Sequence, residues 1–344
     1  MVDTQADEHT PNIIADEVDA EAEKLLMDAA ITLKSEFDSR RKNYLNEERH
    51  IYQGFCERLF ATWEAPINTI EIMLIISREL GSEIMVYLGA KKTISKKEGV
   101  KTRLHARAMQ IASEILHLIR GGFAEGAMTR WRSLHETAVI LTFISQGDEE
   151  LATRYLDYQI VLSAKAATKY IKHHVELGLE PDDFEDVFIQ YKSVISIYGE
   201  EFKKNNSWAS SLIKGKMSTT QFSEIESFVN LGHLSPYYNF ASQYTHANSD
   251  SIGYKLGLSL ADDDEILLAG PSNAGLTDPI QCTGVSLLQI NSVLVEGKEE
   301  IDWHVILKAL SLMLESLKEE TINAANELEN KHKVFSKNHP ASLD

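Results

Sequence analysis

Residues 121–147 read GGFAEGAMTRWRSLHETAVILTFISQG, and the spacing inside this stretch decides the fold class. Met128, Trp131, Leu134, Ala138 and Leu141 recur every three or four residues, the period that gathers side chains on one side of an α-helix. Gly121-Gly122 stands before the run and Gly147 after it, and glycine is the common helix terminator. The spacing predicts a helix over 123–145.

The same period extends outward in both directions. N-terminally it predicts helices over 21–41, with Leu25, Leu26, Ala29, Leu33 and Phe37 on one side, and over 44–63, with Ile51, Phe55, Leu59 and Phe60 buried. A third opens at Pro66, which suits a first helical turn, and a fourth covers 101–120. C-terminally, helices are predicted over 151–177, 184–204, 222–231, 279–294 and 301–331. Another runs over 235–247, where Ser235 caps and Pro236 takes the first position. Only seven prolines interrupt 344 residues. One β signal stands out: Ile252–Leu260 alternates apolar and small residues, Ala261–Asp264 is a polar turn, and Glu265–Ala269 returns. The expectation is an all-α multi-helix bundle with one small β-hairpin at about 252–270. A single domain over 21–332 would lie between an acidic disordered tail, 1–20, and a frayed C-terminal tail, 333–344.

Composition narrows the function classes. The chain is 43% hydrophobic and 25% charged, an ordinary globular balance, with a net charge of −18. Eight acidic residues and no Lys or Arg fall within the first 23 residues. An acidic protein is a poor non-specific binder of duplex DNA, where clustered cations must displace counterions. Cys56 and Cys282 form no CxxC pattern and fit a reducing compartment. The apolar runs at 72–76 and 138–144 are shorter than the roughly 20 residues that span a bilayer, and the N-terminus carries no basic-then-apolar leader. The expected location is the cytoplasm, with no membrane partner. Lys91, Lys92, Lys96, Lys97, Lys101, Arg103 and Arg107 form one basic segment, read as a solvated inter-helix loop or as a patch for phosphate or an acidic partner.

Two constellations could carry chemistry. Tyr238, Ser242 and His246 fall at i, i+4 and i+8, one stripe of a helix, and such a stripe can bind an anion or pass a proton. It can equally satisfy hydrogen bonds between packed helices. Arg132 and Glu136 are i, i+4 on a strongly apolar helix, where a buried charge needs a partner. They are read as an intrahelical pair fixing register, or as part of a polar pocket shared with His246.

These motifs carry a resemblance. Arg132-Ser-Leu-His-Glu136 with Tyr155–Tyr158, and Tyr238-Asn-Phe-Ala-Ser242-Gln-Tyr-Thr-His246, resemble the two halves of a bacterial family, domain-of-unknown-function family 5677, over about residues 60–260. The resemblance implies a helical fold in which the Arg–Glu helix packs on the Tyr–Ser–His helix, and it brings no activity. Arg130-Trp-Arg-Ser-Leu-His135 also resembles the Arg-x4-His motif of the higher-eukaryote-and-prokaryote nucleotide-binding (HEPN) superfamily, which includes toxin and phage-defence RNases. That likeness implies an arginine on the scissile phosphate and a histidine as general acid or base, although Trp131 departs from the pattern.

Glu47-Glu-Arg-His50 and Glu114-Ile-Leu-His117 have the Glu-x-x-His spacing of di-iron bundles, for which Glu71 and Glu136 could be offered as further ligands. Twelve histidines make such pairs frequent, and no metal is expected. No phosphate loop, dinucleotide fingerprint, HExxH or paired CxxC occurs, so no cofactor is expected. Two functions remain. One is a binding or regulatory protein, expected to serve in bacterial stress or phage defence. The other is a metal-independent RNase using His246 or His135 with Arg132 or Arg130. RNA or a protein is the expected partner, and the long N-terminal helices are candidates for a homodimer interface.

Overall fold

The computed structural model describes residues 10–245, 255–258 and 267–338, with side chains from residue 21 to 334 in those ranges. Ten α-helices occur among the described residues, and no strand. They are α1 (Thr10–Gly89), α2 (Lys96–Arg120), α3 (Ala124–Gln146), α4 (Glu149–Glu176), α5 (Glu185–Tyr198), α6 (Ser207–Lys214), α7 (Phe222–Phe228), α8 (Ser235–Gln243), α9 (Thr277–Val295) and α10 (Ile301–Asn338).

Contacts divide the chain into two units, Met1–Arg58 and Leu59–Asp344. In the first unit, α1 is an amphipathic helix on which Leu26, Leu33, Phe37 and Ile51 are exposed. The expectation that Ile51, Phe55, Leu59 and Phe60 are all buried fails: Leu59 is buried, whereas Ile51 and Phe60 are exposed and Phe55 is half-buried.

In the second unit α1 continues from Leu59, interrupted at Trp63, whose φ of −106° and ψ of 17° leave the helical region. Pro66 lies three residues on. It has no N–H for the helical ladder and its ring crowds the preceding turn, which accounts for the break where a separate helix was expected. The Trp63 indole N–H is satisfied elsewhere, by Asn273 O at 2.8 Å. One window within Glu21–Gly89 is long and apolar enough to cross a membrane by length and composition. Of that window 39% is buried: Ile67, Ile70, Met73 and Leu74 of α1 pack into the protein, whereas Ile72 and Ile75 are exposed.

The centre of the second unit is α3. Trp131, Leu134, Ala138, Leu141, Phe143 and Ile144 are all buried, and α2, α9, α7 and α8 pack around the helix. The Trp131 indole N–H reaches Ser286 Oγ and Cys282 O, both at 3.0 Å, fixing α3 against α9. Phe143 meets Trp208 of α6 and Phe228 of α7 edge-on, with centroids 5.5 and 5.3 Å away.

The expected hairpin at about 252–270 needs correction. Where that stretch is described, at 255–258 and 267–270, the chain is turn and irregular. The Leu258 N–H bonds Lys255 O at 3.2 Å within a turn. A Cβ at Gly257 would sit 2.6 Å from Leu268 Cδ2 and 3.2 Å from Ser272 Cβ. Gly257, the one small residue of the alternation among the described positions, thus serves close packing rather than a ladder; the remainder of the stretch lies outside the described residues.

Candidate functional site

Arg132 and Glu136 lie one turn apart on α3, and Tyr238 comes to them from α8. The Tyr238 hydroxyl donates to Glu136 Oε1 at 2.6 Å and accepts from Arg132 Nη2 at 3.0 Å. Arg132 Nε lies 3.4 Å from the same Glu136 oxygen, and the guanidinium carbon stands 4.8 Å from the Tyr238 ring centroid. This is the contact between the Arg–Glu and Tyr helices that the sequence suggested. Burial, and then the bond to the Glu136 carboxylate, push the Tyr238 phenol up to about 12, since both disfavour the phenolate.

Of the two other expected members, one is described and does not join the triad. Ser242 turns its hydroxyl back to Tyr238 O of its own helix at 2.8 Å. His246 lies outside the described residues.

The triad borders a pocket of about 720 Å³ between the end of α2, α3 and the chain just after α8. Arg130, Glu125, Ser133 and Thr129 line it together with Arg132 and Glu136. The Glu136 side chain is 41% exposed. Its Oε1 is occupied by Tyr238 and Arg132, while Oε2 has no partner among the described residues. Glu125 Oε1 is buried and has no hydrogen bond among the described residues. The pocket therefore offers acceptor oxygens held at its wall by fixed neighbours.

Arg130 and His135 do not converge. Five residues of helix turn through roughly 500°, so the two side chains leave α3 about 140° apart. Arg130 pairs with Glu114 on α2. His135 is fully buried, with Nε2 2.7 Å from Glu226 Oε1 on α7. Its ring stacks on Trp131 at 5.3 Å and meets Tyr238 at 5.7 Å. Burial holds the imidazole pKa below its ordinary value, against the opposing pull of Glu226, and Nδ1 has no hydrogen-bond partner. Sequence reasoning missed the Glu226 partner because spacing along a chain reports helix faces, not which helices meet.

The basic segment also differs from its expected form as a loop. Only 91–95 is exposed and non-helical; from Lys96 onward it is α2. Lys101 is buried and pairs with Glu98 at 3.3 Å, and Lys298 reaches the other Glu98 oxygen at 3.2 Å.

Glu114 of the second Glu-x-x-His pair is committed to Arg130. Among the described residues no group of three or more His, Cys, Asp or Glu side chains is placed to hold a metal ion.

No curated protein and no solved structure matches the chain. Over residues 98–266, which take in α2 to α8 and the whole Arg132–Glu136–Tyr238 triad, the chain matches the family of unknown function DUF5677.

Proposed function

We propose that the protein is a cytoplasmic, non-catalytic binding module whose α3–α8 pocket takes a small ligand rich in hydrogen-bond donors. The observation that carries this reading is Glu136. One of its oxygens is held by Tyr238 and Arg132, and the other, with no protein partner among the described residues, is open beside a pocket of about 720 Å³. Fixed acceptors of this kind bind without paying to reorganise. The net charge of −18 adds attraction for a cationic ligand.

The RNase reading has less support. Its Arg130 is committed to Glu114, and its His135 is sealed against Glu226 with no exposed surface. A general base must reach the proton it removes.

The test uses the full chain, with Arg132→Ala and Glu136→Gln variants. Total RNA should stay intact with all three. In thermal-shift assays against free amino acids and the polyamine spermidine, at least one probe should raise the melting temperature of the parent chain and not that of Glu136→Gln. RNA cleavage that disappears in a folded Arg132→Ala variant would overturn the reading, as would identical responses of the parent and Glu136→Gln to every probe.

A further inference from the structure

A second pocket, of about 580 Å³, lies between the second-unit part of α1, α2 and the end of α9. Its wall includes Arg78, Gly81, Met85, His105, Met109 and Gln110. His105 is only 4% exposed, and the network behind it fixes its chemistry. Leu287 O can only accept, so the Asn291 atom 2.8 Å from it is the amide nitrogen. That nitrogen also donates to Ser77 Oγ at 2.7 Å, and Ser77 passes its own proton to Met73 O at 2.6 Å. The remaining Asn291 atom, Oδ1, is an acceptor and lies 3.2 Å from His105 Nε2. Nε2 must therefore carry the hydrogen, which leaves Nδ1 of the neutral ring as a bare acceptor. Burial, which disfavours the imidazolium, agrees with that state.

Nδ1 has no partner among the described residues. The Cε1–Nδ1 edge of the ring packs against Gly81, where a Cβ would lie 2.5 Å from Cε1 and 2.7 Å from Nδ1. Only a glycine leaves the imidazole its place. Arg78, on the turn before, is exposed; its carbonyl accepts from Ser82 Oγ at 3.0 Å, and its guanidinium has no hydrogen-bond or ion-pair partner among the described residues. Met85 and Met109 supply apolar wall between these polar groups.

We propose that this pocket binds a small organic acid that also carries a hydroxyl or amino donor. The carboxylate pairs with Arg78, the donor satisfies His105 Nδ1, and the apolar body lies on the methionines. Each polar element offers a matching contact to a ligand in the pocket: a guanidinium with no protein anion can pair with a carboxylate, and a ring nitrogen that can only accept, with no protein donor, can take a hydrogen bond from a hydroxyl or amine.

The experiment follows the His105 ring nitrogens by long-range proton–nitrogen correlation in the full chain labelled with nitrogen-15 histidine, alongside calorimetry. The probes are 4-hydroxybenzoate and 6-hydroxyhexanoate, with benzoate (no donor) and 4-hydroxybenzyl alcohol (no carboxylate) as controls. At least one hydroxy acid should move the His105 Nδ1 resonance and bind about tenfold or more tightly than the control lacking its donor or carboxylate. Arg78→Gln, at an exposed position that does not threaten the fold, should weaken that acid by a similar factor and leave the alcohol unchanged. Gly81→Ala should abolish the Nδ1 response. If neither hydroxy acid perturbs His105, or if Arg78→Gln binds the responding acid as tightly as the parent, the proposal fails.

Discussion

The Tyr238 hydroxyl on α8 gives its hydrogen bond to Glu136 on α3, at 2.6 Å, and takes one from Arg132 of the same helix. A nine-residue helix is thereby pinned to the core by one phenolic oxygen. Tyr238→Phe keeps the ring on Phe222 and His135 and removes only that oxygen. The expected cost is about 1–3 kcal/mol, because the lost bonds involve charged partners. Urea denaturation measures it. The same variant should remove one of the tyrosines that ionise late, near 12, in an alkaline absorbance titration. An unchanged late phase would mean that Tyr238 is not held by Glu136.

His135 and Glu226 form a sealed pair, with side chains 0% and 3% exposed. Removing the imidazole alone strands the glutamate in the core, so His135→Ala should cost roughly 3–5 kcal/mol. Replacing both partners by leucine should cost far less than the two single changes summed, since apolar residues of similar size need no counter-charge. Additive costs in a double-mutant cycle would show that the two groups do not depend on one another.

How much of this was legible follows from what each signal encodes. The apolar period around Trp131 and Leu134 placed α3 within one residue at either end, because burial on a helix face is written into local spacing. The Arg132–Glu136 pair was legible for the same reason. Its link to Tyr238 came through paired motifs, not through any spacing rule. The partners Glu226 for His135 and Asn291 for His105 stand 91 and 186 residues away, and nothing local distinguishes them from other polar residues. The hairpin was misread because alternating small and apolar residues also suit a tight turn, as Gly257 against Leu268 shows. Likewise, seven cations over 91–107 read as solvated, yet the helix of α2 turns Lys101 inward.

Acid sensitivity should start early. Burial lowers the pKa of both His105 and His135 from the ordinary 6.5. The unfolded chain therefore binds protons at about pH 6.5 that the folded chain refuses. More protons on the unfolded side make stability rise with pH across that window and fall as pH drops below it. Each histidine contributes at most about 1.4 kcal/mol per pH unit. The urea midpoint should be level above about pH 7.5 and decline from about 6.5 toward 5, with a shallower decline in His105→Gln. A midpoint that stays level from pH 7.5 to 5.5 would contradict neutral burial of the two rings.

Two buried lysines share one carboxylate. Lys101 and Lys298 bond opposite oxygens of Glu98, and Lys298 also donates to Leu294 O at 2.7 Å. Burial works to raise the Glu98 pKa, but the two ammonium groups outweigh it and hold the carboxyl below its ordinary range. Its stabilising contribution is accordingly present at neutral pH and lost only as pH falls below that of an ordinary carboxylate. The Lys298 ammonium is also held below its ordinary range, by burial and then by its neighbour Lys101. The three substitutions should therefore behave unequally. Glu98→Gln leaves two like charges in the core and should cost roughly 3–5 kcal/mol. Lys298→Met forfeits two bonds and should be intermediate. Lys101→Met removes the surplus charge and keeps the stem's packing, so it should be near neutral or stabilising by about 1 kcal/mol. Chemical denaturation at neutral pH separates the three, and a Lys101→Met loss as large as that of Glu98→Gln would refute the surplus-charge account.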